Sequence, residues 1–327
     1  MAHNIQARDI QTGVEQAWHK LTNVVENIDE TNAGILYPMY IAETYFKTPD
    51  GKEVASNGRQ IVAADDNLPI GRTVGNDYKL ISNREIWDAV QDGLSGTSHK
   101  IVSCGTVADR SLGFVSVKVA ENFIAAKRDT QNVMNVLWGH GGNKAVVARS
   151  GFTVVVCQNT FNMAMGEHSD FKLSFRHTAN TNILDLGKAI DAHIGVTAEF
   201  KLAMDGLDAV DVKASEARKI FAGFISGGEI PESKTGISRF SNTLDRVQEL
   251  FVSGKGNSGR TLADVFNGVT DYYSHESTGG TAWKQFSSSE FGSAGNRKTE
   301  FFDILTNPDA LRSTTFRGES ILLTLGL

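Results

Sequence analysis

The sequence predicts an α+β protein: a curved antiparallel sheet with helices on one face, followed by a largely helical C-terminal region. Three observations lead there. Leu112-Gly113-Phe114-Val115-Ser116-Val117-Lys118-Val119 alternates with period two, placing Val115, Val117 and Val119 on one side and Ser116 and Lys118 on the other, as in a half-buried strand. Ser82 to Leu94 carries Ile86, Trp87, Val90 and Leu94 at helical spacing behind a capping Asn83. From about Ala179 onward the apolar period becomes 3.6.

The remaining elements follow in order. Residues 1–80 suggest a short helix near Gly13–Leu21 and strands around Ile35–Phe46 and Gly51–Val62. Asn132 to Trp138 reads as a strand, and Gly139-His140-Gly141-Gly142-Asn143-Lys144 as a turn, because Gly and Asn tolerate positive φ. Ala145 to Cys157 is the next extended run, with Val146, Ala148, Phe152, Val154 and Val156 apolar and Arg149 on the alternate side. A short helix is expected after it, capped near Asn159 or Thr160. Helices are then expected over Ile183–Leu207, Ala214–Phe224, Thr243–Val252, Leu262–Tyr273 and Arg297–Leu305, separated by loops rich in Gly and Ser. The organisation expected is an N-terminal mixed segment (1–80), a sheet core with flanking helices (81–178) and a helical region (179–327).

Composition narrows the function. The chain has 327 residues, 40% of them hydrophobic, and a net charge of -6. That is enough chain for a sizeable core, which excludes disordered and collagen-like classes. Apolar runs such as Val154-Val155-Val156-Cys157 are far shorter than the ~20 residues that cross a bilayer. Met1-Ala2-His3-Asn4-Ile5-Gln6 has neither the basic nor the apolar region of a secretion signal. Two cysteines, Cys104 and Cys157, make no disulfide framework. The expectation is a soluble cytoplasmic protein without a membrane partner.

Charge is unevenly spread. Residues 98–177 hold 9 basic against 5 acidic side chains and half of the eight histidines, whereas residues 1–97 hold 8 against 14. A basic island in an acidic chain suits an anionic partner. Lys118 and Arg149 fall on the polar sides of their strands, and Arg110, Lys127, Arg128 and Lys144 lie in adjoining turns. Were the strands neighbours, these six would form a stripe able to follow a phosphate backbone, with Phe114, Phe123 and Trp138 near enough to stack bases. The other reading is that the aromatics fill the core and the cations are merely solvated. His140 reads as a solvent-facing turn residue, with a contact to phosphate or a metal as its functional alternative. Gln158 and Asn159, directly after a buried strand, either cap the following segment or present donors to a ligand.

Enzymatic constellations do not assemble. Gly254-Lys255-Gly256-Asn257-Ser258-Gly259-Arg260-Thr261 has the spacing of a phosphate-binding loop, but Arg replaces the lysine and a helical segment, not a strand, precedes it. It reads as a helix-to-helix connection. His168, His177, His193 and His275 lack the spacing of a zinc site, and Cys157 reads as a small buried hydrophobe. No cofactor or metal is expected, and no catalytic residue is assigned.

Several segments together resemble a family of phage/plasmid-like proteins of unknown function, domain-of-unknown-function family nine-three-two. They are Met1–Ile5, Ala17-Trp18-His19-Lys20-Leu21, Val74-Gly75-Asn76-Asp77-Tyr78-Lys79 running into Asn83-Arg84-Glu85, and Gly139-His140-Gly141-Gly142. Two more are Val155-Val156-Cys157-Gln158-Asn159-Thr160-Phe161, the most specific, and Asn267 to His275. Val154-Val155 stands where an arginine often precedes the signature valine, so no role for that arginine is carried over. The strand-strand-strand-helix order of residues 100–165 is more distantly similar to Red-beta/RecT-type single-strand annealing proteins. The resemblance implies an oligomeric protein, a ring or filament, that binds single-stranded DNA and promotes annealing in a host cell. Two alternatives stand beside it: a counter-defence protein that binds a host immunity factor, and a self-assembling structural protein.

Overall fold

A computed structural model describes residues 9–14, 23–118, 121–142, 144–154, 159–162, 172–177, 186–279, 284–285, 288–289 and 292–327. The chain forms two compact units. The first comprises Met1–Glu121, Val133–Ser150 and Ser169–Gly195, and the second Asn122–Asn132, Gly151–His168 and Val196–Leu327.

Strands β1 (Gln11–Gly13), β2 (Asn23–Val24), β6 (Lys100–Val107), β7 (Leu112–Lys118), β9 (Arg128–Gly139) and β10 (Val146–Val154) lie side by side in the order β10-β9-β7-β6-β1-β2, all in the first unit except the start of β9 and the end of β10, and short β8 (Phe123–Ala125) pairs with that start of β9. Strand β12 (Lys172–Phe175) pairs antiparallel with the first half of β10. The register of β7 on β9 runs from Leu112 opposite Gly139 to Lys118 opposite Val133. One face of this sheet is apolar. Ile101, Cys104, Val115, Val117, Met134, Val136, Trp138, Val146 and Ala148 pack there with Ile86, Trp87, Val90 and Leu94 of helix α1 (Asn83–Leu94). A fully buried side chain the size of Trp87 contributes roughly 2–3 kcal/mol by leaving water.

The apolar spacing of α1 is as the sequence predicts, but its cap is one residue earlier. Ser82 accepts from the Glu85 N–H while the Glu85 carboxylate accepts from Ser82, a capping box. Asn83 is instead fully buried: its amide donates to the Ile35 carbonyl at 2.8 Å, and its Oδ1 accepts from the Trp138 indole at 2.7 Å.

A smaller sheet in the same unit holds β3 (Met39–Lys47), β4 (Glu53–Ala63) and β5 (Pro69–Val74), antiparallel in that order. Tyr37, Ile61, Ala63, Ile70 and Val74 form its core. The two long strands here match the expected extended segments. The helix expected near Gly13–Leu21 falls on residues 15–22, which lie outside the described residues, and Gly13 itself ends β1.

The second unit is mostly helical, as the 3.6 period predicts. Helix α2 (Leu186–Asp208) enters it at Val196, followed by α3 (Ala214–Ile225), α4 (Lys234–Ser253), α5 (Leu262–His275), α6 (Ser293–Thr306) and α7 (Pro308–Leu325). Phe152 stacks on Phe200 at 4.0 Å, and Phe224 meets Phe301 at 4.5 Å. Helices α3 and α7 cross at Gly223 and Gly318, where a Cβ on either would strike backbone of the other helix. Asn159–Asn162 forms strand β11, antiparallel to the end of β10, where the sequence suggests a helix. The run is too short for its cap-like residues to outweigh an available ladder of backbone bonds.

Candidate nucleic-acid interface

Strand alternation decides which cations share a surface. On β7, Val115 and Val117 point into the α1 core, so Phe114, Ser116 and Lys118 take the opposite face. On β9, Met134, Val136 and Trp138 point inward, leaving Asn135 and Leu137 on that second face, where Ser116 donates to Asn135 Oδ1 at 2.7 Å. On β10, Val146 and Ala148 are core, so Val147 and Arg149 turn the other way. Lys118 and Arg149 therefore emerge from the same face of one sheet, as expected from the sequence.

Two registers extend this set beyond the residues the sequence singled out. Lys100 is the direct cross-strand partner of Lys118, and Lys172 that of Arg149. Exposed Arg176 follows β12 at the same alternation as Lys172 and Ser174. The segments 100–107, 112–118, 133–139, 146–149 and 172–175 contain no Asp or Glu at all. At the margin, Glu121 stands 3.9 Å from Lys118 and is almost fully exposed. Like charges directly opposite across a ladder cost a fraction of a kcal/mol to about 1 kcal/mol, a cost that a bound anion would remove. The acid-free strands are legible in the sequence, but only pairing sets their cations side by side.

The other predicted cations are placed elsewhere. Lys144 is exposed in the β9–β10 turn, off the strands. Arg110 lies in the β6–β7 turn with φ of 64°, buried, its guanidinium 2.7 Å from Asp65 and 4.2 Å above the Tyr37 ring. Its backbone N–H donates to Asp9 Oδ1 at 2.9 Å, and the guanidinium holds the Asp65 carboxyl below the usual range. Arg110 thus fastens a turn and is not presented to solvent.

Lys127 and Arg128 belong to the second unit. Arg128 is buried at the start of β9 and paired with Asp264, itself 1% exposed. It donates also to the carbonyls of Ala126 at 2.7 Å and Gly256 at 3.0 Å. Burial pushes the Asp264 carboxyl up, but hydrogen bonds from Arg260 and Ser258, with the Arg128 charge, bring it below its ordinary value. Lys127 reaches Asp208 at 2.8 Å. These contacts fix the glycine-rich segment between α4 and α5, which is a helix-to-helix connection as its context predicts.

His140 differs from its expected place in solvent. It is 2% exposed, with Nε2 2.8 Å from Asn83 Oδ1, and Nδ1 has no partner among the described residues. Burial, reinforced by neighbouring His177, lowers its pKa to about 3, so the ring is neutral. Nothing about a Gly-flanked histidine signals this; the cause is the buried Asn83 acceptor, 57 residues away in sequence. The expected aromatic platform is not on this face either. Trp138 is core, Phe114 is 5% exposed, and Phe123 packs edge-on against Phe152 and Phe200 in the second unit. Gln158 lies outside the described residues, and Asn159 opens β11 opposite Val154.

Cys104 is buried, its thiol pushed up to about 12 by desolvation, while Cys157 lies outside the described residues. Among the described residues no group of three or more His, Cys, Asp or Glu could hold a metal ion, and no helix is long and apolar enough to cross a membrane.

No curated protein and no solved structure matches the chain. A family model described as a domain of unknown function, DUF932, matches residues 72–312, a span that includes every strand of the basic face. The chain belongs to the DUF932 family.

Proposed function

We propose that the protein binds single-stranded DNA along the second face of the first unit's sheet and promotes annealing of complementary strands. The observation that carries the reading is that face itself: cations from β6, β7, β10 and β12 with no carboxylate in the strand segments that bear them. Lys100, Lys118 and Arg149 contact phosphates, with Ser103, Ser116 and Asn135 between the cations as neutral hydrogen-bonding groups. Without an exposed aromatic on those strands, the bases are not sequestered by stacking and stay available for pairing. This is the logic of the Red-beta/RecT type, which the strand-strand-strand-helix order expected for residues 100–165 distantly resembles, and it suits a phage or mobile-element protein working in a host cytoplasm.

The test is a pair of complementary oligonucleotides carrying a fluorophore and a quencher. The protein should accelerate their annealing at low salt, and Lys118→Glu/Arg149→Glu should remove the acceleration. Oligonucleotide binding without acceleration would leave a DNA-binding protein but overturn annealing. Absence of binding at low salt would overturn the whole reading and favour a protein partner.

A further inference from the structure

We propose that the outer edge of β3 is a docking edge for a second copy of this chain, paired antiparallel about a two-fold axis through Tyr45. The inference does not depend on DNA binding. The small sheet has two edges, and they are treated differently. The β5 edge begins with Pro69, which has no N–H, and contains Gly71 at φ of 65°. Such features blunt an edge against pairing. The β3 edge is nine residues long without proline, carries exposed Tyr40, Tyr45 and Phe46, and has no partner strand among the described residues.

Backbone polarity fixes which residues can pair. The Ala64 N–H donates to the Pro38 carbonyl, and the Thr48 N–H to that of Lys52, so residues 38 and 48 point their backbone groups toward β4. Alternation then turns those of 39, 41, 43, 45 and 47 outward. The register shift between Glu43 and Tyr45 does not disturb this: Glu43 pairs with Arg59 and Tyr45 with Ala55, so the additional residues lie on β4. Thr44 closes that bulge by donating to the Gly58 carbonyl at 2.6 Å.

Among the two-fold registers this polarity permits, charge selects one. Pairing Glu43 with Glu43 of another copy sets like charges opposite one another. Centring on Tyr45 instead places Glu43 opposite Lys47 twice, Thr44 opposite Phe46 twice, and Tyr45 opposite itself. Glu43 is exposed and forms no ion pair among the described residues, and Lys47 has only a 3.9 Å contact with exposed Glu53. Opposite charges facing across a ladder favour pairing, and the aromatic rings supply apolar area.

The register makes a sharp test on the full chain. Opposed Tyr45 Cα atoms would be about 5.5 Å apart, within disulfide reach, whereas the two Lys47 would be separated by roughly 14 Å along the strand. Tyr45→Cys should form a covalent dimer on mild oxidation, well above wild type and Lys47→Cys treated alike. In sedimentation velocity, Glu43→Lys and Lys47→Glu should each weaken the dimer about tenfold, and the double swap should restore it. Cross-linking at position 47 equal to that at 45, no dimer in wild type, or a double swap no better than either single change would overturn the proposal.

Discussion

Arg128 and Arg149 begin as equals in the sequence, two arginines in one basic segment, and the fold places them in different surroundings. In the second unit Arg128 meets Asp264, and Lys127 meets Asp208. Around Arg149 in the first unit's sheet the strand neighbours are Lys172 and, farther along, Lys118 with Lys100, without an acid in those strands. A local excess of positive charge therefore has two meanings. Carboxylates supplied from distant helices convert it into internal scaffolding, whereas strands that carry cations and no acids of their own offer a field for an external anion.

The comparison can be broken first at its buried end. Arg128→Ala would strand Asp264 as an unpaired buried charge, and such losses cost about 3–5 kcal/mol. Chemical denaturation should show that loss in the helical unit, with oligonucleotide affinity of the folded protein unchanged. A drop in affinity without a drop in stability would mean that Arg128 faces DNA after all. Next in size, Lys118→Glu/Arg149→Glu should weaken oligonucleotide binding on the order of 100-fold at low salt, because counterion release is lost at two sites and repulsion is added.

A third expectation concerns the opposite face of the same sheet. His140 is held neutral, with a folded pKa of about 3, far below the ordinary histidine value. Between pH 6.5 and 3 the unfolded chain binds a proton that the folded one does not, so stability is full above 6.5 and declines as pH falls. The slope from this residue is at most about 1.4 kcal/mol per pH unit. His140→Gln should flatten the acid limb of a melting-temperature profile, and a profile with the wild-type slope would contradict the buried neutral ring. The smallest effect is expected from Lys127→Gln, since the Lys127 side chain is largely exposed. Neither affinity nor melting temperature should move measurably, and a loss of affinity would extend the interface into the second unit.

Period and local chemistry made much of this legible. The alternation of Leu112–Lys118, the apolar spacing of Ile86, Trp87, Val90 and Leu94, and the change to helical period after Ala179 each report the element that forms. Arg149 is assigned its face correctly because Val146 and Ala148 alternate with it. What was not legible depends on partners far along the chain. Asp264 is 136 residues from Arg128, and Asp65 is 45 from Arg110, so no local pattern distinguishes these buried arginines from exposed ones. The same holds for His140, whose burial follows from Asn83, a residue that sequence alone reads as a helix cap. Lys100 is not singled out by the sequence for a different reason: its place opposite Lys118 appears only once β6 is set in register against β7.

The most direct test is the salt dependence of binding to a labelled single-stranded oligonucleotide. Three phosphate contacts through Lys100, Lys118 and Arg149 predict that log affinity falls against log salt with a slope of about −2, reduced by about 0.7 for each of these cations replaced by glutamine. Binding that ignores salt, or a slope unchanged in Lys118→Gln and Arg149→Gln, would contradict the account.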